Sequence, residues 1–215
     1  MNITFLKVRD LNEAWWTCIR RVLTEGYEYT IDAGSYAGQK RKEFDLVVVQ
    51  ITNPSTRPLV PLTPEGVPAP TTIEYVEKDY LPYLMTDIKG GNLIYTYGTD
   101  LEPQYSKVIE LYKSEGFENN HCCMSVGNSN SINLEHSQCL RLIDTRVRYG
   151  KLHYIVYFRS WDLYSGFPSN LAGIQLMKEA MANELGVEDG ELIAFSKGLH
   201  LYDHHFDLGK MVVGL

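Results

Sequence analysis

Residues 136 to 173, HSQCLRLIDTRVRYGKLHYIVYFRSWDLYSGFPSNLAG, hold side chains that could do chemistry together. Cys139 could act as a nucleophile, because a thiolate is reactive and a nearby arginine lowers the pKa of a thiol. Arg159 and Ser160 combine a guanidinium with a hydroxyl, which suits the binding of a phosphate group. The Asn170 amide donates and accepts at once, so it could complement a base edge such as that of uracil.

Two of these residues also have a structural interpretation that the sequence leaves open. Arg159 could form an ion pair with Asp162, three residues later, and most such pairs are structural. Asn170 follows Pro168 at the start of a predicted helix, and asparagine is a preferred N-cap.

The chain has four cysteines, none in a C-x-x-C arrangement. Cys122 and Cys123 lie in an apolar predicted strand, where a cysteine is most often a small buried hydrophobe. Cys139 is different, because its neighbours are His136, Ser137, Gln138 and Arg141. This cysteine usage favours a reduced, cytoplasmic protein.

A second polar group lies in GLHLYDHHFD, where His200 and Tyr202 occupy alternate positions and so point to one side of an extended segment. The histidines and aspartates around them could suggest a metal site. Adjacent histidines on a strand face opposite ways, however, and the helical H-x-x-x-H pattern is missing, so we predict no metal.

The elements that position these residues follow from periodicity. We predict strands over residues 44–52, 121–127, 140–148, 151–160 and 192–196, with a hairpin turn at Tyr149-Gly150. We predict helices over 10–25, 73–89 (interrupted at Pro82), 103–115 and 170–185. The interpretation is an α+β domain that occupies residues 1–215.

Residues 53–72 contain six prolines and cannot form regular structure. A loop of this length is either functional or a surface excursion, and both alternatives remain open.

The composition limits the class of protein. With 215 residues, 44% of them hydrophobic, and a formal charge of −7, the chain is typical of a globular domain rather than of a general nucleic-acid binder, which would more often be basic. No apolar window reaches the length of a transmembrane helix, and charges interrupt the N-terminus where a signal peptide needs an apolar run.

Taken together, the spacing resembles the thymidylate synthase family. That family carries a nucleophilic cysteine about twenty residues before Arg-Ser-x-Asp, then G-x-P-x-N, then H-x-Y. The matching residues here are Cys139, Arg159, Ser160, Asp162, Gly166, Pro168, Asn170, His200 and Tyr202. Tyr97-Gly98 resembles the family's YG motif, and the resemblance covers residues 93 to 205.

The resemblance implies a mixed α/β sandwich with a large mixed sheet, a homodimer across that sheet, and the reductive methylation of dUMP to dTMP. Cys139 would attack C6 of the pyrimidine, and the one-carbon unit would come from methylenetetrahydrofolate or methylenetetrahydromethanopterin, without a metal. The implied phosphate ligands are Arg159 and Ser160, with Arg159 also acidifying Cys139. Asn170 would read the base, and His200 and Tyr202 would hold the sugar hydroxyl. Asp162, Trp161 and Gly166 would meet the pterin, and Tyr97 would be catalytic.

The sequence departs from the family at several points. Asn119-Asn120 stand where an Arg-Arg pair usually reaches the partner subunit's phosphate site, and Leu140 stands where histidine usually follows the cysteine. Arg41 is our candidate for the missing phosphate arginine, ahead of Arg20 and Arg21. The chain stops at Leu215, before the usual closing tail, so we expect a reduced closure and a likeness to the compact archaeal-type branch.

Two alternatives follow from the same resemblance. Family members that act as hydroxymethylases capture the exocyclic methylene with water, and those acting on cytosine tend to carry Asp at the Asn170 position, so Asn170 favours uracil. The other alternative is a non-catalytic nucleotide-binding or RNA-binding relative, against which the acidic charge and the intact nucleophile argue.

Overall fold

The computed structural model describes residues 1–34, 36–90 and 94–215, so Leu93, where the resemblance begins, lies outside the described residues. The elements follow in the order β1 (Ile3–Val8), α1 (Leu11–Glu25), β2 (Tyr27–Thr30), β3 (Lys40–Glu43), β4 (Leu46–Ile51), α2 (Ile73–Tyr75), α3 (Leu81–Met85), α4 (Gly98–Glu115), β5 (Cys123–Ser125), β6 (Leu140–Arg148), β7 (Lys151–Phe158), β8 (Trp161–Asp162), α5 (Gly166–Leu185), β9 (Glu188–Ser196), β10 (Leu199–Tyr202) and α6 (Phe206–Val213). A π-helical turn, Val76–Tyr80, joins α2 to α3.

A six-stranded sheet in the order β1-β4-β9-β7-β6-β5 forms the centre of the fold. It is mixed, because β1 and β4 pair in parallel, as do β9 and β7, while the remaining neighbours are antiparallel. The helices α1 and α5 contact its strands and each other, and α4 contacts both α5 and β5. The predicted α+β fold with a large mixed sheet is confirmed.

The β6–β7 hairpin turns at the predicted pair. Tyr149 and Gly150 both have positive φ, 55° and 74°, as the tight turn that suits twisted strands requires. Along β7 the residues alternate between buried and partly exposed, starting with buried Leu152 and partly exposed His153, as the sequence predicts for a strand with one covered face.

A second, four-stranded sheet has the order β2-β3-β10-β8. In its register Arg41 lies opposite Tyr202 across β3 and β10, and Asp162 lies opposite His200 across β8 and β10. This small sheet therefore brings together residues that are far apart in the sequence.

Two helices begin earlier than predicted. α4 starts at Gly98, five residues before the predicted start, and includes Pro103. α5 starts at Gly166 rather than at Asn170, because the N-cap is Ser165 and Pro168 falls in the first turn, where proline is tolerated. The interpretation of Asn170 as an N-cap is therefore wrong.

Several elements were missing from the sequence prediction: β1, β2, β3, β8 and α6. In the part of the chain that the structure describes, no helix combines the length and the hydropathy that crossing a membrane would need.

Candidate active site

The β6–β7 hairpin places Cys139 beside Arg159. The backbone N–H of Arg159 donates to the carbonyl of Cys139 at 2.9 Å. The Arg159 guanidinium donates from Nε to the Gln138 carbonyl at 3.1 Å and from Nη2 to the Ser137 carbonyl at 2.6 Å. Within the described ranges Arg159 makes no ion pair with Asp162, so the structural alternative for this arginine is wrong.

The thiol of Cys139 lies in a half-buried position at the start of β6. Burial raises its pKa above the ordinary value, and the charge of Arg159 opposes that shift without reversing it. The expectation that Arg159 acidifies Cys139 is therefore correct for the direction of its own effect, but the net pKa moves upward because desolvation is the larger influence.

Tyr97 contacts the residue that follows Cys139 and also lines a cavity. Its hydroxyl accepts the backbone N–H of Leu140 at 3.3 Å, and its side chain is almost fully buried. Burial raises the pKa of Tyr97, and the proximity of Cys139 adds to the rise. Tyr97 therefore remains a protonated phenol that can donate its hydrogen next to the thiol.

Three further tyrosines, which the sequence did not reveal as site residues, surround Tyr97. Tyr83 packs edge-on against Tyr97 with 4.8 Å between ring centroids, and Tyr80 and Tyr95 complete what we call the tyrosine cluster. The hydroxyl of Tyr80 is buried and has no hydrogen-bond partner among the described residues. The i, i+3 spacing of Tyr80 and Tyr83 on a helix and the i, i+2 spacing of Tyr95 and Tyr97 were the available signals.

A cavity of about 1220 Å³ lies against the tyrosine cluster. Its lining includes four of the predicted site residues, namely Tyr97, Asp162, Gly166 and Asn170. The end of the proline-rich segment contributes Pro70, Thr71 and Thr72 to the same cavity. The end of that long loop is therefore part of the cavity wall.

The other predicted residues lie beside this cavity rather than in its lining. Cys139, Arg159 and Ser160 occupy the β6–β7 edge, and His200, Tyr202 and Arg41 belong to the small sheet. Strand β8 links the two groups, because Trp161 and Asp162 follow Ser160 directly and pair with Leu199 and His200. The two groups of candidate residues are therefore connected through β8, and Asp162 belongs to both β8 and the cavity lining.

Asp162 organises the entrance to α5. Its carboxylate accepts the backbone N–H groups of Tyr164, Ser165 and Gly166 at 3.1, 3.2 and 3.1 Å. A carboxylate at a helix N-terminus satisfies otherwise unpaired donors and is favoured by the helix dipole. A Cβ on Gly166 would lie 3.4 Å from Cβ of Asp162 and 3.7 Å from Oδ1 of Asn170, so this glycine keeps the space between them open.

The sequence places Trp161 beside the pterin, but its observed contacts are with protein. The indole is 3% exposed and stacks on Phe158 at 3.8 Å between ring centroids. Its Nε1–H donates to Oδ1 of Asn170 at 2.8 Å. The pterin contact of Trp161 stays a prediction, while the bond to Asn170 is a feature that the sequence did not predict.

His200 has a defined tautomer. Its Nδ1 lies 2.8 Å from the carbonyl of Gly198, and a carbonyl can only accept, so Nδ1 carries the proton. Burial lowers the pKa of His200 to about 4, which keeps the ring neutral at neutral pH. The opposite nitrogen, Nε2, is buried and unpaired within the described residues, and it is an acceptor that needs a donor such as a hydroxyl.

Arg41, the candidate phosphate arginine, lies in the small sheet, and its role in phosphate binding stays a prediction. It lies opposite Tyr202 in the small sheet, its guanidinium covers the ring of Tyr29 at 5.0 Å, and its Nε lies 3.3 Å from Oε2 of Glu43. Burial raises the pKa of Tyr202, and the Arg41 charge opposes that rise, which places the arginine close to the H-x-Y pair.

The competing basic residues have other partners. Arg20 donates to the carbonyl of Val213 at 3.4 Å, and Arg21 pairs with Glu25 at 2.7 Å. Asn119, at the position of the missing Arg-Arg pair, donates to the Gly116 carbonyl at 2.8 Å and serves a local turn. The described residues contain no cluster of three or more His, Cys, Asp or Glu side chains arranged for a metal ion.

The structure combines a large mixed sheet with a cysteine, an arginine and several polar side chains next to a cavity. In comparison with known proteins, residues 95–213 match the family model described as thymidylate synthase, so the chain belongs to the thymidylate synthase family. Members are transferases of nucleotide biosynthesis that use dUMP and a reduced, folate-type one-carbon donor.

Two of the relatives span nearly the whole chain. A protein of Methanosarcina acetivorans named "Putative thymidylate synthase" is 27% identical over 97% of this chain and 94% of its own length. One of the same name from Methanothermobacter marburgensis is 26% identical over 97% of each. A thymidylate synthase of Listeria monocytogenes is 32% identical over 108 residues, which is 50% of this chain and 34% of that protein.

Proposed function

We propose that this protein is a thymidylate synthase that converts dUMP to dTMP, with a methylene-bearing reduced pterin as the one-carbon donor. The observation that carries the proposal is the pairing of Cys139 with Arg159 at the hairpin edge, with the hydroxyl of Tyr97 on the next residue, Leu140. A nucleophile (Cys139), a cation (Arg159) and a proton donor (Tyr97) are then neighbours.

The covalent step uses these groups in turn. The sulfur of Cys139 forms a bond to C6 of the pyrimidine, and the C5–C6 double-bond electrons move toward O4, which makes C5 nucleophilic. Because burial raises the pKa of the thiol, Arg159 is needed to stabilise the thiolate that attacks. The reduced pterin would supply the methylene that C5 attacks and, in dTMP formation, the hydride that completes the methyl group. C5 loses its proton in this sequence, and the sulfur of Cys139 leaves C6 as the C5–C6 double bond forms again.

Residues in and beside the cavity would contact each part of the nucleotide. Arg159, Ser160 and Arg41 bind the phosphate, since arginine pairs with phosphate oxygens in a bidentate manner. The unpaired Nε2 of His200 accepts the sugar hydroxyl, with Tyr202 beside it. Asn170 reads the uracil edge from the cavity wall.

The pterin occupies the rest of the cavity. Asp162 and Gly166 line it together with Tyr80, Tyr83 and Tyr97 of the tyrosine cluster, which offer aromatic side chains to a planar heterocycle. The cavity is large enough for either methylenetetrahydrofolate or methylenetetrahydromethanopterin. A cytoplasmic location, which the free cysteines favour, belongs to the same proposal.

A homodimer across the large sheet completes the proposal. The face of that sheet opposite α1 and α5 carries a partly exposed apolar surface made of Ile3, Phe5, Leu46, Val48, Leu142, Ile155, Tyr157, Ile193 and Phe195. Exposed apolar faces of this extent mark protein–protein contacts. A second copy of the chain would cover it.

The test is adduct formation with 5-fluoro-dUMP and a methylene pterin, followed by mass spectrometry. Fluorine cannot leave C5 as a cation, so the covalent complex should accumulate on the peptide that contains Cys139. Cys139→Ser should retain dUMP binding but form no adduct. Nucleotide binding without an adduct in the wild type would indicate a non-catalytic relative.

Product analysis with dUMP separates the two catalytic outcomes. Chromatography should show dTMP, whereas hydroxymethyl-dUMP would mean that water completes the reaction. Deoxyuridine, which lacks the phosphate, should bind more weakly than dUMP, and equal affinity would contradict the roles of Arg41, Arg159 and Ser160.

A further inference from the structure

We propose that Trp161 is a positioning residue that fixes the orientation of the Asn170 amide and so selects uracil over cytosine. The inference rests on the proposed function, because it assumes that Asn170 contacts a pyrimidine base. It assigns base selectivity to Trp161, a side chain that acts through Asn170 rather than by contacting the base.

The argument begins with the chemistry of the indole. The Nε1–H of Trp161 is a donor and has no acceptor capacity, so the atom 2.8 Å away must be the amide oxygen of Asn170. Rotating the amide by 180° would bring its NH₂ group against the indole N–H, donor against donor. The amide nitrogen has no other partner within the described part of the chain and remains for the ligand.

The indole is itself held rigidly. Its ring stacks on Phe158 with 11° between the planes and contacts Phe167 at 4.7 Å between centroids. With 3% exposure it has little space in which to turn. Asn170 lines the cavity from the same helix as Phe167, so the donor and the amide are fixed in one packed unit.

The two bases need opposite amide orientations. Uracil offers an acceptor at O4 beside a donor at N3, whereas cytosine offers a donor at N4 beside an acceptor at N3. A free asparagine could satisfy either base by rotating its amide, as its donor and acceptor exchange places. An amide held by Trp161 keeps one order only, and for an enzyme acting on dUMP that order is the uracil order.

The experiment compares dUMP and dCMP binding by calorimetry in the wild type, Trp161→Phe and Phe167→Leu. Phenylalanine keeps an aromatic ring but removes the N–H. In the wild type, an amide rotated to suit cytosine would leave the indole N–H without an acceptor, and the variant has no such free-energy penalty. The dUMP/dCMP affinity ratio should therefore fall by roughly tenfold or more. Phe167→Leu loosens the packing of the indole but keeps the N–H, so its ratio should stay near that of the wild type.

The outcomes separate the inference from the function. An unchanged ratio in Trp161→Phe, with dUMP still bound, would overturn the positioning role and leave the proposed function intact. A wild type that binds neither nucleotide would overturn both. If Trp161→Phe does not fold, hydrogen exchange of the indole N–H in the wild type and in Asn170→Ala decides: faster exchange in the variant supports the bond to Asn170, and equal rates overturn it.

Discussion

At the scale of single residues, the reactivity of Cys139 depends on two opposing influences. The half-buried position favours the neutral thiol, and the guanidinium of Arg159 favours the thiolate. Arg159 is kept close by its two bonds to the carbonyls of Ser137 and Gln138. Among the residues that the structure describes no carboxylate forms an ion pair with it, so its charge is available to the sulfur and to a bound anion.

The alkylation rate of Cys139, measured as a function of pH, should accordingly have its midpoint at a high pH. Because the folded pKa is raised, the thiol stays protonated at neutral pH and the iodoacetamide rate should increase as pH rises through a midpoint above that of a free cysteine. Arg159→Gln removes the charge and should move the midpoint further up, whereas Arg159→Lys keeps the charge and should move it less. Mass spectrometry of the Cys139 peptide gives the rates.

Equal midpoints in Arg159→Gln and the wild type would contradict the electrostatic link between the two residues. The peptide readout also excludes confusion with Cys123, which is exposed and reacts independently.

At the scale of elements, helix α5 forms one wall of the cavity. It begins where Asp162 accepts the N–H groups of Ser165 and Gly166, and it presents Asn170 one turn later. Further along, Gly173 packs directly on the ring of Tyr80, and an added Cβ would come within 2.5 Å of that ring. The contact sets how closely the tyrosine cluster approaches the helix.

Gly173→Ala should therefore destabilise the protein by about 1–3 kcal/mol, since overpacking outweighs the better helix propensity of alanine. In a Tyr80→Ala background, where the ring is gone, the same substitution should instead stabilise the protein by roughly 0.5–1 kcal/mol. Urea denaturation of the wild type, the two single variants and the double variant gives the double-mutant cycle. The same sign in both backgrounds would show that Tyr80 is not the obstacle.

At the scale of the whole molecule, the buried hydrophobic cluster extends from Leu6 to Val213, which supports our proposal that residues 1–215 fold as one domain. The opposite face of the large sheet is not covered by any helix of the described residues. On β1, at its edge, Ile3 and Phe5 are 72% and 60% exposed. At its centre the rings of Tyr157 and Phe195 stack at 4.8 Å, next to Ile155 and Ile193.

Light scattering should give twice the 24.6 kDa monomer mass for the wild type. Ile193→Lys places a charge at the centre of the apolar face and should produce monomers, because burying an unpaired ammonium is costly. Ile132→Lys, at an 87% exposed isoleucine away from the sheet, is the matched control and should stay dimeric. A wild type that is monomeric at every concentration would contradict the proposed dimer.

The sequence by itself determined the β6–β7 hairpin, because a hairpin needs only neighbouring segments and the local turn chemistry of Tyr149-Gly150. The contact of Cys139 with Arg159 also depends on a register shift between Leu140 and Leu142, which the turn does not predict. The same local logic predicted the helices over 10–25 and 170–185. In the structure the side chain of Asp10 caps α1, and Gly186, which has positive φ, ends α5.

Only the tertiary structure decided the rest of the site. The tyrosine cluster, the tautomer of His200 and the bond from Trp161 to Asn170 depend on segments that meet after folding, and periodicity carries no information about such meetings. The net rise in the pKa of Cys139 was also beyond the sequence. A neighbouring arginine can be read from spacing, but desolvation depends on how deeply the whole fold buries the sulfur.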